Sequence, residues 1–153
     1  MLAGERLKKD ALMLATAESC TGGWLAQAIT EVSGSSAWFE RGFVTYSNQS
    51  KCEMLGVNPA TLEKDGAVSE KAAYEMAAGA LKFSPAWVSV SITGVAGPGG
   101  GSDEKPVGMV CFAWILKSGK CKSNTLYFEG DRHRVRYQSV KTALQGLLDF
   151  LDE

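Results

Sequence analysis

Apolar residues recur at helical spacing in several parts of the chain. The clearest case is EKAAYEMAAGALKF (residues 70–83), where every third or fourth residue is apolar and Ser69 stands at the expected cap position. The apolar stripe of this helix comprises Ala72, Met76, Ala80 and Phe83. Similar patterns predict a helix over residues 21–32 and a last helix that opens at GDR, residues 130–132. The mixed segment 2–9 and the short segment 51–55 are also expected to be helical.

Short apolar runs between these helices predict β-strands. They cover residues 11–16, 39–47, 86–93, 107–116 and 121–129. The last two runs are joined by a KSGK turn, which predicts a closing hairpin. Strands that alternate with helices indicate a three-layer α/β/α sandwich around a mixed, mostly parallel sheet. No repeat or linker divides the sequence, so we expect residues 1–153 to form one domain.

The composition narrows the classes of function. The 153 residues are 45% hydrophobic and 22% charged, which is typical of a soluble globular protein. The net charge is only -1, so broad electrostatic binding of nucleic acid is not expected. No apolar run approaches the roughly 18 residues of a membrane-spanning helix, and no signal-like segment opens the chain. We therefore expect a cytoplasmic protein with no membrane partner.

Residues that bind soft metals are scarce. His133 is the only histidine, and the four cysteines form no CxxC pair. The glycine-rich loop GVAGPGGGSDEKP (residues 94–106) contains neither a GK[ST] P-loop ending nor the GxGxxG dinucleotide pattern. We therefore expect no metal and no bound cofactor, and we interpret the loop as either a flexible lid or a backbone wall beside a ligand.

Three polar segments follow predicted strands. They are TAESCTGG (residues 16–23), the end of FVTYSNQSK (residues 43–51) and SITGVAGPGGG (residues 91–101). Ligands of open α/β sheets collect at the carboxyl ends of the strands, so these segments are expected at one rim. In the first segment, Gly22 and Gly23 would let a ligand approach backbone N–H groups. The alternative is structural, with Ser19, Cys20 or Thr21 capping the next helix.

Lys51 is a candidate general base. A serine can be activated without histidine by a neutral lysine if burial or nearby cations lower the pKa of that lysine. Ser35 and Ser36 precede the strand predicted over residues 39–47, and Tyr46 lies near its end, five residues before Lys51. The strand and its flanking turns could bring serine, tyrosine and lysine side chains to one pocket. The alternative is an ordinary exposed lysine after a turn.

The segment GDRHRVR (residues 130–136) places Arg132, Arg134 and Arg136 in the first turns of the last helix. Cations are unfavourable there because a helix N-terminus is already positive. Asp131 as a cap and Glu129 could compensate in part. The cluster is either a solvated basic face or a seat for a phosphate or carboxylate.

The sequence also resembles a known family. TAESCTGG, GSSAWFERGFVTYSNQSK, GAVSE and SITGVAGPGGGSDEKPVG, in this order, resemble the CinA carboxyl-terminal domain, a family of competence/damage-inducible proteins. The resemblance extends from about Leu7 to Leu151. For members that consist of this domain alone, it implies hydrolysis of the carboxamide of nicotinamide mononucleotide to nicotinic acid mononucleotide and ammonia, in pyridine nucleotide salvage. Longer members carry a pyrophosphatase domain, and that second activity is not expected here.

The resemblance also implies roles for individual residues. It makes Ser36 the nucleophile, Lys51 the base and Tyr46 an assistant in proton transfer, while Ser19 lines the site and is the alternative nucleophile. The substrate-binding residues it implies are Ser19, Thr21, Gly22, Gly23 and Arg132. The TGG turn and the GDRHR cluster are alternative seats for the 5′-phosphate.

The sequence is also compatible with an alternative function and with self-association. The chain could instead be a nucleotide-sensing or interaction module without turnover, whose partner would still be a small nucleotide. Trp38, Phe39 and Phe43 fit either the interior of a monomer or a face between copies, so a homo-oligomer is compatible with the sequence.

Overall fold

Helices and strands alternate along the chain in the computed structural model, which describes residues 2–153. The helices are α1 (Leu2–Lys9), α2 (Trp24–Thr30), α3 (Asn48–Leu55), α4 (Pro59–Lys64), α5 (Glu70–Lys82) and α6 (Arg132–Asp152). The strands are β1 (Leu14–Glu18), β2 (Phe39–Val44), β3 (Val88–Gly94), β4 (Met109–Leu116) and β5 (Cys121–Tyr127). A 3₁₀ turn, Ser35–Ala37, precedes β2.

The five strands form one mixed sheet in the order β2-β1-β3-β4-β5. β1 pairs in parallel with β2 and β3, whereas β4 pairs antiparallel with β3 and β5. The predicted mixed α/β sandwich is therefore confirmed. Four strands run in one direction and β4 alone is reversed, although the four pairings divide evenly between parallel and antiparallel.

Helices cover both faces of the sheet. α1, α2 and α6 pack on one face over an apolar core that includes Leu14, Val90 and Phe112. α5 packs on the other face, with α3 and α4 beside it. There the hydroxyls of Ser89 and Ser91 donate to backbone carbonyls of α5, so small side chains let the alanine-rich helix lie close to β3.

The structure differs from the predicted boundaries around β1. Ala11 has a positive φ of 55° and belongs to the turn that ends α1, so β1 begins at Leu14 rather than at residue 11. β1 continues to Glu18, which pairs with both neighbouring strands and whose buried carboxyl group accepts three hydrogen bonds. Gly22 and Gly23 adopt φ values of 59° and 104°, and α2 therefore starts only at Trp24.

Helix α4 was not predicted from the sequence. Asn58 is its N-cap and Pro59 is its first residue. The side chain of Asn58 accepts a hydrogen bond from the Ala60 N–H. Proline is favoured at the first helical position because its missing N–H would have no partner there. The N-cap predicted at Ser69 is confirmed, since its Oγ accepts from the Ala72 N–H.

The parallel strands place three connections at one edge of the sheet. Glu18 pairs with Val44 of β2 and with Ile92 of β3, so the segments after β1, β2 and β3 leave the sheet side by side. Within residues 2–153, no helix combines the length and apolar character needed to cross a bilayer.

Candidate active site

Ser19 is the first residue after β1. Its N–H donates to the Ile92 carbonyl oxygen over 3.0 Å, which extends the ladder between β1 and β3 by one residue. Ser19 is 8% exposed and its side chain borders a pocket at the carboxyl edge of the parallel strands. The sheet therefore fixes the backbone of Ser19 while its hydroxyl faces the pocket.

Lys51 reaches Ser19 from helix α3. Its Nζ lies 2.9 Å from the Ser19 Oγ, 2.9 Å from the Thr45 carbonyl oxygen and 3.3 Å from the Tyr46 carbonyl oxygen. Lys51 is only 1% exposed, which is rare for lysine. Ser47 caps the first turn of α3 by accepting from the Ser50 N–H, and Lys51 lies on the buried face of this helix together with Leu55.

The surroundings of Lys51 favour its neutral form. Burial lowers the pKa of Lys51 from its ordinary value, and the salt bridges within residues 2–153 do not include it. A neutral amine has two N–H donors and one lone pair. Because two carbonyl oxygens are within reach, both N–H groups can be satisfied while the lone pair accepts the Ser19 O–H. The pair is thus suited to proton transfer from serine to lysine.

Glu18 organises the turn that carries Ser19. Its buried carboxyl group accepts hydrogen bonds from the Thr21 hydroxyl at 2.6 Å, the Leu25 N–H at 2.8 Å and the Ala26 N–H at 3.1 Å. The last residue of β1 therefore caps α2. This finding corrects the expected cap by Ser19, Cys20 or Thr21, since the Thr21 hydroxyl acts as a donor to Glu18.

The pocket beside Ser19 has a volume of about 340 Å³. One wall is the glycine-rich loop after β3, including Gly97, and another is formed by Ala67 and Val68 before α5. The volume falls within the range of roughly 300–1,000 Å³ typical of small-molecule sites. The interpretation of the loop as a backbone wall agrees with this position.

Arg132 and Tyr46 meet at the mouth of the pocket. The Arg132 guanidinium donates to the Gly97 carbonyl oxygen at 2.8 Å and to the Tyr46 hydroxyl at 3.2 Å. Tyr46 is 65% exposed, and it contacts Lys51 through its backbone carbonyl. The Tyr46 hydroxyl therefore contacts Arg132 at the mouth, and it is not among the hydrogen-bond partners of the Lys51 Nζ.

Ser36 lies at the other end of the sheet. It is exposed in the 3₁₀ turn before β2, whereas Lys51 lies beyond the carboxyl end of that strand. Six residues of β2 separate the two ends, which corresponds to roughly 16–20 Å. The expected contact of Ser36 with Lys51 is thus absent within this chain, and the serine beside Lys51 is Ser19.

The other predicted ligand-binding residues divide into two groups. Arg132 and Ser19 both line the pocket. Thr21, Gly22 and Gly23 form the turn between Ser19 and α2 and are not part of the lining. The two glycines serve the reversal into α2, as their positive φ values require.

The basic segment at the start of α6 is likewise divided. Arg132 faces the pocket, and the predicted cap Asp131 accepts from the Arg134 N–H. His133 packs against Trp24 with ring centroids 5.1 Å apart. Arg136 donates to backbone carbonyls of the turn after Ser19.

The thiol next to Ser19 is not set up as a nucleophile. Burial raises the pKa of Cys20 to about 12, so the reactive thiolate is scarce at neutral pH. Among the residues described, no group of three or more His, Cys, Asp or Glu side chains is arranged to hold a metal ion.

A larger cavity of about 440 Å³ lies between β5 and α6. Its lining includes Trp114, Lys122 and Gln145, but neither Ser19 nor Lys51. Pocket size alone would favour this cavity, but the smaller pocket is the one that contains Ser19 and Lys51.

Fold and site together define an α/β protein with a small-molecule pocket built around a buried serine–lysine pair. The model of the CinA C-terminal domain family matches residues 2–151, and the chain belongs to this family. The resemblance seen in the sequence is thereby confirmed.

Curated relatives agree with this assignment. Nicotinamide-nucleotide amidohydrolase PncC of Escherichia coli strain K12 is 55% identical over 144 residues, which cover 94% of this chain and 87% of that protein. The protein of the same name from Pseudomonas putida is 50% identical over 145 residues, covering 95% and 90%. A CinA-like protein of Chlorobaculum tepidum is 53% identical over 146 residues, which are 93% of this chain but only 34% of that protein.

Solved structures share the fold across almost the whole chain. The competence/damage inducible protein CihA from Agrobacterium tumefaciens has a TM-score of 0.92 and 47% identity, covering 99% of this chain and 94% of that one. The competence damage-inducible protein A from Klebsiella pneumoniae MGH 78578 has a TM-score of 0.96 and 36% identity, with the same coverage.

Proposed function

We propose that this protein hydrolyses the carboxamide of nicotinamide mononucleotide to nicotinic acid mononucleotide and ammonia, with Ser19 as nucleophile and Lys51 as base. The observation that carries the proposal is the 2.9 Å contact between Ser19 Oγ and Lys51 Nζ beside a pocket of about 340 Å³. Further support comes from the relatives named nicotinamide-nucleotide amidohydrolase, which this chain matches over most of its length. Pyridine nucleotide salvage is the role that such a reaction would serve.

The first half of the reaction forms an acyl-enzyme. Neutral Lys51 accepts the Ser19 proton while Oγ attacks the carboxamide carbon, which produces a tetrahedral intermediate with a negatively charged oxygen. The intermediate collapses when the C–N bond breaks and Lys51 returns the proton to the departing nitrogen. Ammonia leaves, and the nicotinoyl group is held as an ester on Ser19.

The second half regenerates the serine. Lys51 is neutral again after ammonia departs, and it accepts a proton from a water molecule that attacks the ester carbon. The C–O bond to Ser19 then breaks, Lys51 protonates the serine oxygen, and the carboxylic acid product is released. Each turnover consumes one water and returns both residues to their starting states.

Arg132 is the residue we assign to the phosphate of the substrate. Its guanidinium is held at the pocket mouth by Gly97 and Tyr46, and those contacts leave other N–H donors of the planar fork for an anion. Arg132 lines the pocket, whereas Gly22 and Gly23 do not, which favours the α6 segment over the TGG turn. We also assign Tyr46, whose hydroxyl accepts from Arg132, to the mouth of the pocket.

Ammonia release tests the proposal directly. Purified protein incubated with nicotinamide mononucleotide and a chelator should release ammonia and nicotinic acid mononucleotide in equal amounts, while a Ser19→Ala variant should release neither. Binding of the nucleotide to the wild type without ammonia release at high protein concentration would instead support a nucleotide-sensing module.

A further inference from the structure

Arg136 contacts the chain immediately after Ser19. From the second turn of α6, its Nε donates to the Cys20 carbonyl oxygen at 3.1 Å and its Nη2 donates to the Thr21 carbonyl oxygen at 3.1 Å. The guanidinium also lies over the Trp24 ring, 5.4 Å from its centroid. One planar fork therefore binds two consecutive peptide groups.

These contacts fix the orientation of both peptides. A trans peptide is planar, so turning its C=O toward Arg136 turns its N–H the opposite way. The second of these peptides carries the Gly22 N–H, which donates to the Ser19 carbonyl oxygen and closes the turn at 3.0 Å. Gly22 has a φ of 59°. Because glycine populates many backbone conformations, Gly22 does not restrict the turn to this one, and the contacts around it must do so.

The turn is held from its other side by Glu18. The Glu18 carboxyl group accepts from the Thr21 hydroxyl at 2.6 Å, so Thr21 is bound through its side chain by Glu18 and through its carbonyl by Arg136. Ser19 precedes this doubly held segment, and its own N–H is fixed to Ile92.

We propose that Arg136 is a positioning residue for the nucleophile: by binding the carbonyls of Cys20 and Thr21, it holds the Ser19 hydroxyl in register with Lys51. This inference rests on the proposed role of Ser19. It separates Arg136 from Arg132, since Arg132 lines the pocket and Arg136 does not. Arg136 acts on the enzyme's own backbone, and Arg132 on the substrate.

Three variants isolate this role. Arg136→Met keeps an unbranched stem against Trp24 but removes both hydrogen bonds. Arg136→Lys keeps the charge but lacks the planar fork that reaches two carbonyls. Arg134→Met is the matched control, because Arg134 is an exposed arginine of the same helix. Its backbone N–H donates to the Asp131 carboxyl group, and the substitution keeps that hydrogen bond.

Two readouts separate positioning from substrate binding. The first is kcat and KM for nicotinamide mononucleotide, and the second is the rate at which a fluorophosphonate, which reacts with activated serines, labels Ser19. Arg136→Met should lower kcat and the labelling rate together by about 10–100-fold, because small misplacements of a reacting group have effects of that size. KM should stay within about twofold, Arg136→Lys should recover part of the loss, and Arg134→Met should match the wild type.

Several results would overturn the inference. A folded Arg136→Met protein with wild-type kcat and labelling would remove any positioning role. A raised KM with unchanged kcat and labelling would make Arg136 a substrate ligand instead. If Arg136→Met does not fold, Arg136→Ala supplemented with millimolar guanidinium gives the same test, since returning the cation should raise the labelling rate. A folded Arg136→Ala protein whose labelling rate does not rise on addition of guanidinium would contradict the inference.

Labelling also separates this inference from the proposed function. If the wild type releases no ammonia from nicotinamide mononucleotide, the proposed substrate is wrong, but the labelling rates of wild type and Arg136→Met still decide the positioning role. If Ser19→Ala is labelled as fast as the wild type, Ser19 is not the activated serine and the inference fails with it.

Discussion

The Nζ of Lys51 lies 2.9 Å from the Oγ of Ser19, and both side chains are almost completely withdrawn from solvent. The two residues are far apart in sequence and are brought together because β1 and β2 run parallel and end at the same edge of the sheet. This contact leads to predictions on the proposed nucleophile, the proposed base and the residues around them.

Replacing Ser19 should remove turnover. Ser19→Ala eliminates the only hydroxyl that is hydrogen-bonded to Lys51 among the residues described. We expect kcat to fall by at least about a thousandfold, as for nucleophiles that act as a unit with a base. Ser36→Ala is the matched serine variant, and it should retain nearly all activity because Ser36 is exposed at the far end of β2. Steady-state ammonia release measures both, and the opposite ranking would make Ser36 the nucleophile.

The activity should rise with pH. Lys51 must be neutral to accept a proton, so kcat/KM should increase as pH rises through the pKa of Lys51, which burial holds below that of an exposed lysine. Lys51→Arg should be inactive across the range because a guanidinium does not lose its proton. Lys71→Arg, an exposed change on α5, should keep the wild-type pH profile. An activity that does not vary with pH below 10 would argue against Lys51 as base.

The same group should make folding stability depend on pH. Because the pKa of Lys51 is lower in the folded chain than the ordinary value of about 10.4, the unfolded chain binds more protons between these two values. The free energy of unfolding of the wild type, measured relative to Lys51→Met, should therefore rise with pH across that interval and level off below it. Urea titrations at several pH values provide the measurement.

Lys71→Met serves as the control for that titration, because Lys71 is exposed on α5. Its stability difference from the wild type should change little over the same interval. A relative stability of the wild type that falls as pH rises would contradict a lowered pKa for Lys51.

Arg132 should act through the phosphate. A hydrogen bond to a charged group contributes about 1.5–3 kcal/mol, so Arg132→Met should raise KM for nicotinamide mononucleotide by about 10–100-fold. For nicotinamide riboside, which lacks the phosphate, the same variant should behave almost like the wild type. Arg134→Met should leave both values of KM unchanged, and an equal loss on both substrates would show that Arg132 does not bind the phosphate.

Replacing Glu18 should lower the free energy of unfolding. Glu18→Ala leaves the Leu25 and Ala26 N–H groups of α2 without their acceptor, and each buried group left unpaired costs about 1–3 kcal/mol. The urea midpoint of this variant should drop clearly, while Glu63→Ala, an exposed change on α4, should remain within about 0.5 kcal/mol of the wild type. A Glu18→Ala protein as stable as the wild type would mean that the carboxyl group does not cap α2.

The layer architecture was predictable because it depends on patterns that are local in sequence. Helical spacing located α5 and its cap Ser69, and short apolar runs located β3 and β4. Helix α4 was missed although its Asn58–Pro59 start is a recognisable helix signal, because the residues around it resemble a loop in composition.

The serine partner of Lys51 depends on topology. Ser36 precedes a strand and Ser19 follows one, and in a parallel pair only residues that follow the strands meet at the ligand-binding edge. That rule, applied to residue order alone, favours Ser19. The family resemblance instead implied Ser36, whose side chain is too distant from Lys51 within this chain.

Glu18 and Arg136 could not be assigned from the sequence for a different reason. A carboxylate after an apolar run is typical of the end of a strand, and only the folded chain brings its hydrogen-bond donors from Thr21 and α2. Arg136 appeared as one member of a basic cluster, because its acceptors lie more than a hundred residues away in the turn after Ser19.

Locating the covalent intermediate tests the central claim most directly. Enzyme mixed with nicotinamide mononucleotide, quenched in acid during turnover and digested, should carry the acyl group on the peptide that contains Ser19, and the adduct should be absent from Ser19→Ala. An adduct on the peptide that contains Ser36, or undiminished ammonia release by Ser19→Ala, would contradict the assignment of Ser19 and Lys51 as the catalytic pair.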